Sequence, residues 1–197
     1  SGIRRGSYMG QCSGPLVNIF FEKGIYQMIL QSLENAGIGF EAGFKEFNEN
    51  RPTLVMIHGA GGSAQVWRNQ VHPLKSSFNT LAIDLPGHGK TADSARGTID
   101  EYAAWLMETL QAFFPEPPFL MGHSMGGAIV QTTAFEKPSL MKGIILAATG
   151  PRLGVAPAFL DGLLNNFENI IDTIMGYAYA PEVDRRLVSE GAALMRK

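Results

Sequence analysis

Ser124 stands between two glycines in Gly122-His123-Ser124-Met125-Gly126. A serine at a bend where a strand turns at once into a helix is held in strained φ/ψ, with its hydroxyl clear of the backbone. Such a hydroxyl can attack a carbonyl carbon. The chain passes itself closely on both sides of such a bend, so the flanking positions must lack bulk, which glycine supplies. The first N–H groups of the helix, led by Met125, face whatever the serine attacks, and the helix dipole adds partial positive charge there. The pentapeptide alone also fits a glycine-rich turn around a buried serine. Its surroundings favour the bend. Pro118-Phe119-Leu120-Met121 reads as a short buried strand bounded by Pro115, Pro117 and Pro118. Ala128 to Phe135 reads as a compact helix stopped before Pro138.

The elements that must position this serine begin at residue 53. Thr53 to His58 is a continuous apolar run, as expected of a strand covered on both faces. Gly59-Ala60-Gly61-Gly62 follows, then a helix from about Ser63 with Val66, Trp67, Val71 and Leu74 on one side. Phe78 to Asp84 is the next strand and Leu85 to Thr91 a loop. Thr98 to Phe114 is a helix whose Thr98 and Glu101 form a capping box. Gly143 to Ala148 reads as one more buried strand. Strands and helices alternate through short loops, which predicts a mostly parallel sheet with helices on both faces. After Thr149 the pattern is helical only: Ala158–Asn166, Glu168–Tyr177, and Pro181 to about Arg196 with Pro181 at its first position.

The 197 residues suit one domain, and 45% hydrophobic with 17% charged content suits a well-buried globular fold. A net charge of −2 gives no reason to expect nucleic acid or an anionic membrane as partner. No apolar run approaches the ~18 residues of a membrane span. The single cysteine, Cys12, rules out an internal disulfide and fits a reducing compartment; a cytoplasmic location is expected. Met9 reads as the native start, with residues 1–8 added ahead of it. Glu22 to Asn35 has helical spacing, and Ile38, Phe40, Ala42 and Phe44 alternate as in a strand with a bend at Gly43.

Three signatures together resemble the α/β-hydrolase fold family of serine esterases, lipases and acyl-hydrolases. They are His58-Gly59-Ala60-Gly61-Gly62, Asp84-Leu85-Pro86-Gly87-His88-Gly89, and Gly122-His123-Ser124-Met125-Gly126-Gly127, the last being that family's nucleophile elbow. The resemblance runs from about Ile38 to the end. It divides the chain into an N-terminal extension (1–37), the first part of the hydrolase core (38–150) and a helical cap-like segment (151–197).

The resemblance implies Ser124 as nucleophile, with the backbone N–H groups of Met125 and Ala60 as oxyanion donors. Gly59, Gly61 and His123 would line the substrate, a small molecule of carboxylic ester type. No cofactor or metal is implied. His58, Asp84 and His88 read as structural, with Asp84 anchoring an exposed loop.

The family orders its triad as serine, acid, then histidine. Here no histidine follows His123. The chain therefore reads as C-terminally truncated, with weak or no turnover by itself. Its sheet should end on an edge open to self-association or to a second chain. The alternative is a non-catalytic ligand-binding protein on the same scaffold.

Overall fold

The computed structural model describes residues 28–43 and 47–196. Cys12, the expected start at Met9, the first turns of the Glu22–Asn35 helix and Phe44 lie outside the described residues. Helix α1 covers residues 28–35. Among the described residues five strands follow: β1 (Phe40–Ala42), β2 (Thr53–Ile57), β3 (Asn79–Ile83), β4 (Phe119–His123) and β5 (Gly143–Ala147). Between and after them come α2 (Arg68–Leu74), α3 (Ile99–Phe113), α4 (Met125–Glu136), α5 (Pro157–Asn165), α6 (Phe167–Ala178) and α7 (Arg185–Met195). A 3₁₀ turn over Ala64–Trp67 leads into α2.

The sheet order is β1-β3-β2-β4-β5. β2 pairs parallel with β3 and β4, and β4 with β5, while β1 runs antiparallel to β3. The period-2 alternation of β2 explains its unbroken apolar sequence. Val55 and Ile57 pack with Leu33, Leu106, Leu110 and Ile129 on one face, and Leu54 and Met56 pack with Trp67 and Val71 on the other. Both faces are thus covered, as the sequence pattern predicts. Ile29 and Leu33 of α1 belong to the same core as Ile38.

Helix α3 begins where the capping box places it. Thr98 Oγ1 accepts from Glu101 N (3.2 Å), and Glu101 Oε2 accepts from Thr98 N (3.1 Å) and Gly97 N (2.7 Å). Thr98→Ala is expected to cost about 1 kcal/mol, read as a lowered urea midpoint at unchanged slope.

Two expectations need correction. Pro181 does not open the last helix: residues 181–184 form a turn, and α7 starts at Arg185 behind an Asp184 cap that accepts from Arg186 N at 2.9 Å. The Asp184 carboxylate supplies a capping acceptor, which Ala180, the residue ahead of Pro181, lacks. Nor is β5 buried. Ile144, Ile145 and Leu146 are 39%, 43% and 43% exposed, and Phe135 on the neighbouring α4 is 92% exposed. Among the described residues the strand pairs with β4 alone, so its other hydrogen-bonding edge is open, and side chains on both of its faces are partly exposed. Its composition is that of an interior strand, as read from the sequence, but its place is an edge.

The helices after β5 form a satellite cluster around Ile171, Met175 and Ala192, and α5 contributes no buried residue. Among the described residues, no helix is long and apolar enough to cross a membrane.

Candidate active site

Ser124 sits at the junction of β4 and α4 with φ 52° and ψ −119°. A non-glycine residue held there costs on the order of 1–3 kcal/mol and persists only where its surroundings fix it. Those surroundings are backbone. A Cβ placed on Gly122 would stand 2.6 Å from Gly127 Cα, and one on Gly126 would stand 2.5 Å from Ile57 O and collide with His58 O. The two glycines let α4 start directly against β4 and against the end of β2. Ser124 remains half-buried rather than sealed.

The loop after β2 closes on the same point. A Cβ on Gly59 would lie 3.1 Å from Ser124 Cβ and 3.2 Å from His123 Nδ1. Ala60 and Gly61 are exposed beside it. Among the described residues, the N–H groups of Ala60 and Met125 make no hydrogen bond. The structure therefore brings Ser124, Met125, Gly59, Ala60, Gly61 and His123 to one place.

Two histidines hold the glycine loop. Leu85 N–H can only donate, so His58 Nε2, 3.0 Å away, must accept; His58 Nδ1 then carries the proton and donates to Gly59 O at 2.8 Å. Complete burial pushes the His58 pKa down to about 4, so the ring is neutral at pH 7. His88 repeats the arrangement, accepting from Gly61 N (3.3 Å) and donating from Nδ1 to Pro86 O (3.0 Å). Asp84 adds a third tie, accepting from Ala64 N (2.6 Å) and Lys90 N (2.8 Å). It is only 4% exposed, so it anchors the loop from inside the protein and not from the exposed position expected. A turn-forming sequence does not reveal that its carboxylate folds inward onto two backbone N–H donors.

No histidine is placed as a base. His58 and His88 use both ring nitrogens, and His72 is exposed on α2. His123 is exposed by surface area, yet the protein around its ring, which meets Trp67 edge-on at 6.4 Å, lowers its pKa by desolvation. Among the described residues, no side chain hydrogen-bonds Ser124 Oγ.

Helix α7 reaches this loop. Arg196 pairs with Glu168 (2.6 Å) and Asp172 (2.7 Å) of α6, which fixes the end of α7. Met195 is thereby set against Gly61, whose added Cβ would lie 2.9 Å from Met195 Cε.

One neighbour of Ser124 was not legible from spacing. Thr149, just beyond β5, donates from Oγ1 to Ser124 O at 2.9 Å. A lone threonine at a strand end carries no sequence signal for such a contact.

Residues 54–196 match the model of the alpha/beta hydrolase family, and the chain belongs to that family. It is 30% identical over 135 residues to a pimeloyl-[acyl-carrier protein] methyl ester esterase of Aeromonas hydrophila, covering 63% of this chain and 52% of that one. It is 33% identical over 102 residues to an (E)-2-((N-methylformamido)methylene)succinate hydrolase of Acinetobacter baylyi, covering 51% of this chain and 38% of that one. Among solved structures, a thermophilic esterase superposes with a TM-score of 0.67 at 26% identity, over 81% of this chain and 58% of that one. The chain spans about half the length of the first of these relatives.

Proposed function

We propose that this chain carries the nucleophile and oxyanion donors of a serine hydrolase acting on carboxylic esters. Ser124 Oγ attacks the carbonyl carbon, and the charge that develops on the carbonyl oxygen is met by the N–H groups of Met125 and Ala60. The C–O bond to the alcohol then breaks, leaving an acyl group on Ser124 that water removes. Gly59 and Gly61 let the substrate approach the loop, and His123 lines the opening. The observation that carries this reading is the strained, half-buried Ser124 facing the glycine loop. Each oxyanion donor of this kind is worth about 3–4 kcal/mol of barrier. The names of the relatives, a pimeloyl-[acyl-carrier protein] methyl ester esterase among them, support a carboxylic ester as the substrate class.

A serine hydroxyl needs an adjacent base to be an effective nucleophile, and among the described residues no side chain hydrogen-bonds Ser124 Oγ as one. The base and its acid partner therefore come from polypeptide outside these residues, seated along the open edge of β5. The chain by itself acylates slowly and turns over poorly, on the order of 10⁴-fold or more below a site with its base.

With p-nitrophenyl butyrate, the purified chain should acquire acyl groups on Ser124 with little sustained release of product. Ser124→Ala should take up none there. Robust turnover that depends on Ser124 would overturn the missing base. Hydrolysis indifferent to Ser124→Ala would overturn the nucleophile and favour ligand binding without catalysis.

A further inference from the structure

The peptide that joins Ser124 to Met125 is a rigid plane, with the Ser124 C=O and the Met125 N–H fixed on opposite sides of it. Whatever fixes the carbonyl fixes the amide. Ser124 O accepts from Gly127 N (2.9 Å), Ala128 N (3.2 Å) and Thr149 Oγ1 (2.9 Å). The first two donors belong to α4 itself and move with it. Thr149 comes from a different part of the chain and ties the plane to the body of the sheet.

The segment around Thr149 is built for this contact. Ala147 O accepts from Ser124 N at 3.1 Å, so the peptides on both sides of Ser124 are held by residues 147–149. Gly127 presents a bare backbone to Thr149: a Cβ there would lie 2.7 Å from Thr149 Cβ and 2.8 Å from its Oγ1. Gln131 Nε2, one turn along α4, bridges Gly127 O (3.1 Å) and Gly150 O (3.4 Å). Between the two anchors, Ala148 has φ 46°. Ala148 and Ser124 are the two non-glycine residues with positive φ among the described residues. A left-handed alanine costs roughly 1–2 kcal/mol, and here it turns the chain so that Thr149 reaches Ser124.

We propose that Thr149 is the positioning residue of the elbow: its hydroxyl holds the Ser124 carbonyl and thereby aims the Met125 N–H at the oxyanion. This rests on the reading of Ser124 as nucleophile. Thr149 touches no reacting atom and acts through the peptide plane alone.

The test compares Thr149→Val, which keeps the shape and loses the hydroxyl, with Thr149→Ser, which keeps the hydroxyl. The HNCO cross-peak that correlates the Ser124 carbonyl carbon with the Met125 amide reads the plane directly. The rate of fluorophosphonate labelling at Ser124 reads its consequence. In Thr149→Val the cross-peak should shift and labelling should slow about tenfold, the upper range for one hydrogen bond. Thr149→Ser should restore both. Thr149→Ala serves if valine is not accommodated. An unmoved cross-peak in the valine or alanine chain overturns the proposal, as does a serine chain that fails to restore it. A shifted and restored cross-peak in a chain whose Ser124 takes no label at all upholds the positioning and defeats the nucleophile reading instead.

Discussion

Gly126→Ala should lower stability by about 3 kcal/mol or more, the upper range for overpacking against an element that cannot yield. The new methyl would press on His58 O and on Ile57 O and C, at 2.5 and 2.8 Å for the Ile57 atoms. All three are backbone at the end of β2, a central strand of the sheet. Relief requires α4 to back away from β2, which would also withdraw Ser124 from the Gly59 loop. Urea unfolding should show a lower midpoint, and any folded fraction should lose labelling at Ser124. A chain with the parent's midpoint and labelling rate would mean that the helix start has more room than its packing indicates.

Acid should unfold the protein through His58. In the unfolded chain this histidine titrates near the ordinary value of about 6.5; in the folded chain, burial holds it near about 4. The folded state thus binds fewer protons between those values. Its contribution to stability is complete above about pH 6.5 and is lost as pH falls towards about 4, by about 3 kcal/mol in all. The physical event is loss of the Leu85 N–H···Nε2 bond when Nε2 takes a proton. Urea midpoints at pH 7.5 and pH 4.5 should differ in the parent. In His58→Gln the midpoint should start lower and change less across the same interval. Equal changes in the two chains would place the acid sensitivity elsewhere.

How much of this was legible follows from which interactions are local. The Thr98–Glu101 box is a contact three residues apart, so the start of α3 can be read from sequence alone. The strand–glycine–helix order around Ser124 is equally local, and the strained φ of 52° stands where that order puts it. The alternation in β2 says that two faces are covered but not which helices cover them. Asp84 reads as a loop anchor but not as a buried one, and Thr149 is not read at all, because the contacts that decide each lie far along the chain. Asp84 turns inward to Ala64 N, 20 residues back, and Thr149 reaches Ser124 across 25 residues. β5 misled for the opposite reason. Its apolar residues describe the cover that an interior strand requires, and composition cannot say whether that cover is present.

The most direct measurement is peptide mapping after prolonged treatment of the purified chain with a fluorophosphonate, which phosphonylates the most reactive serine hydroxyls. The account predicts an adduct on Ser124 ahead of the other serines, Ser63 and Ser94 included, and none at position 124 in Ser124→Ala. An adduct spread over exposed serines with Ser124 untouched would contradict it.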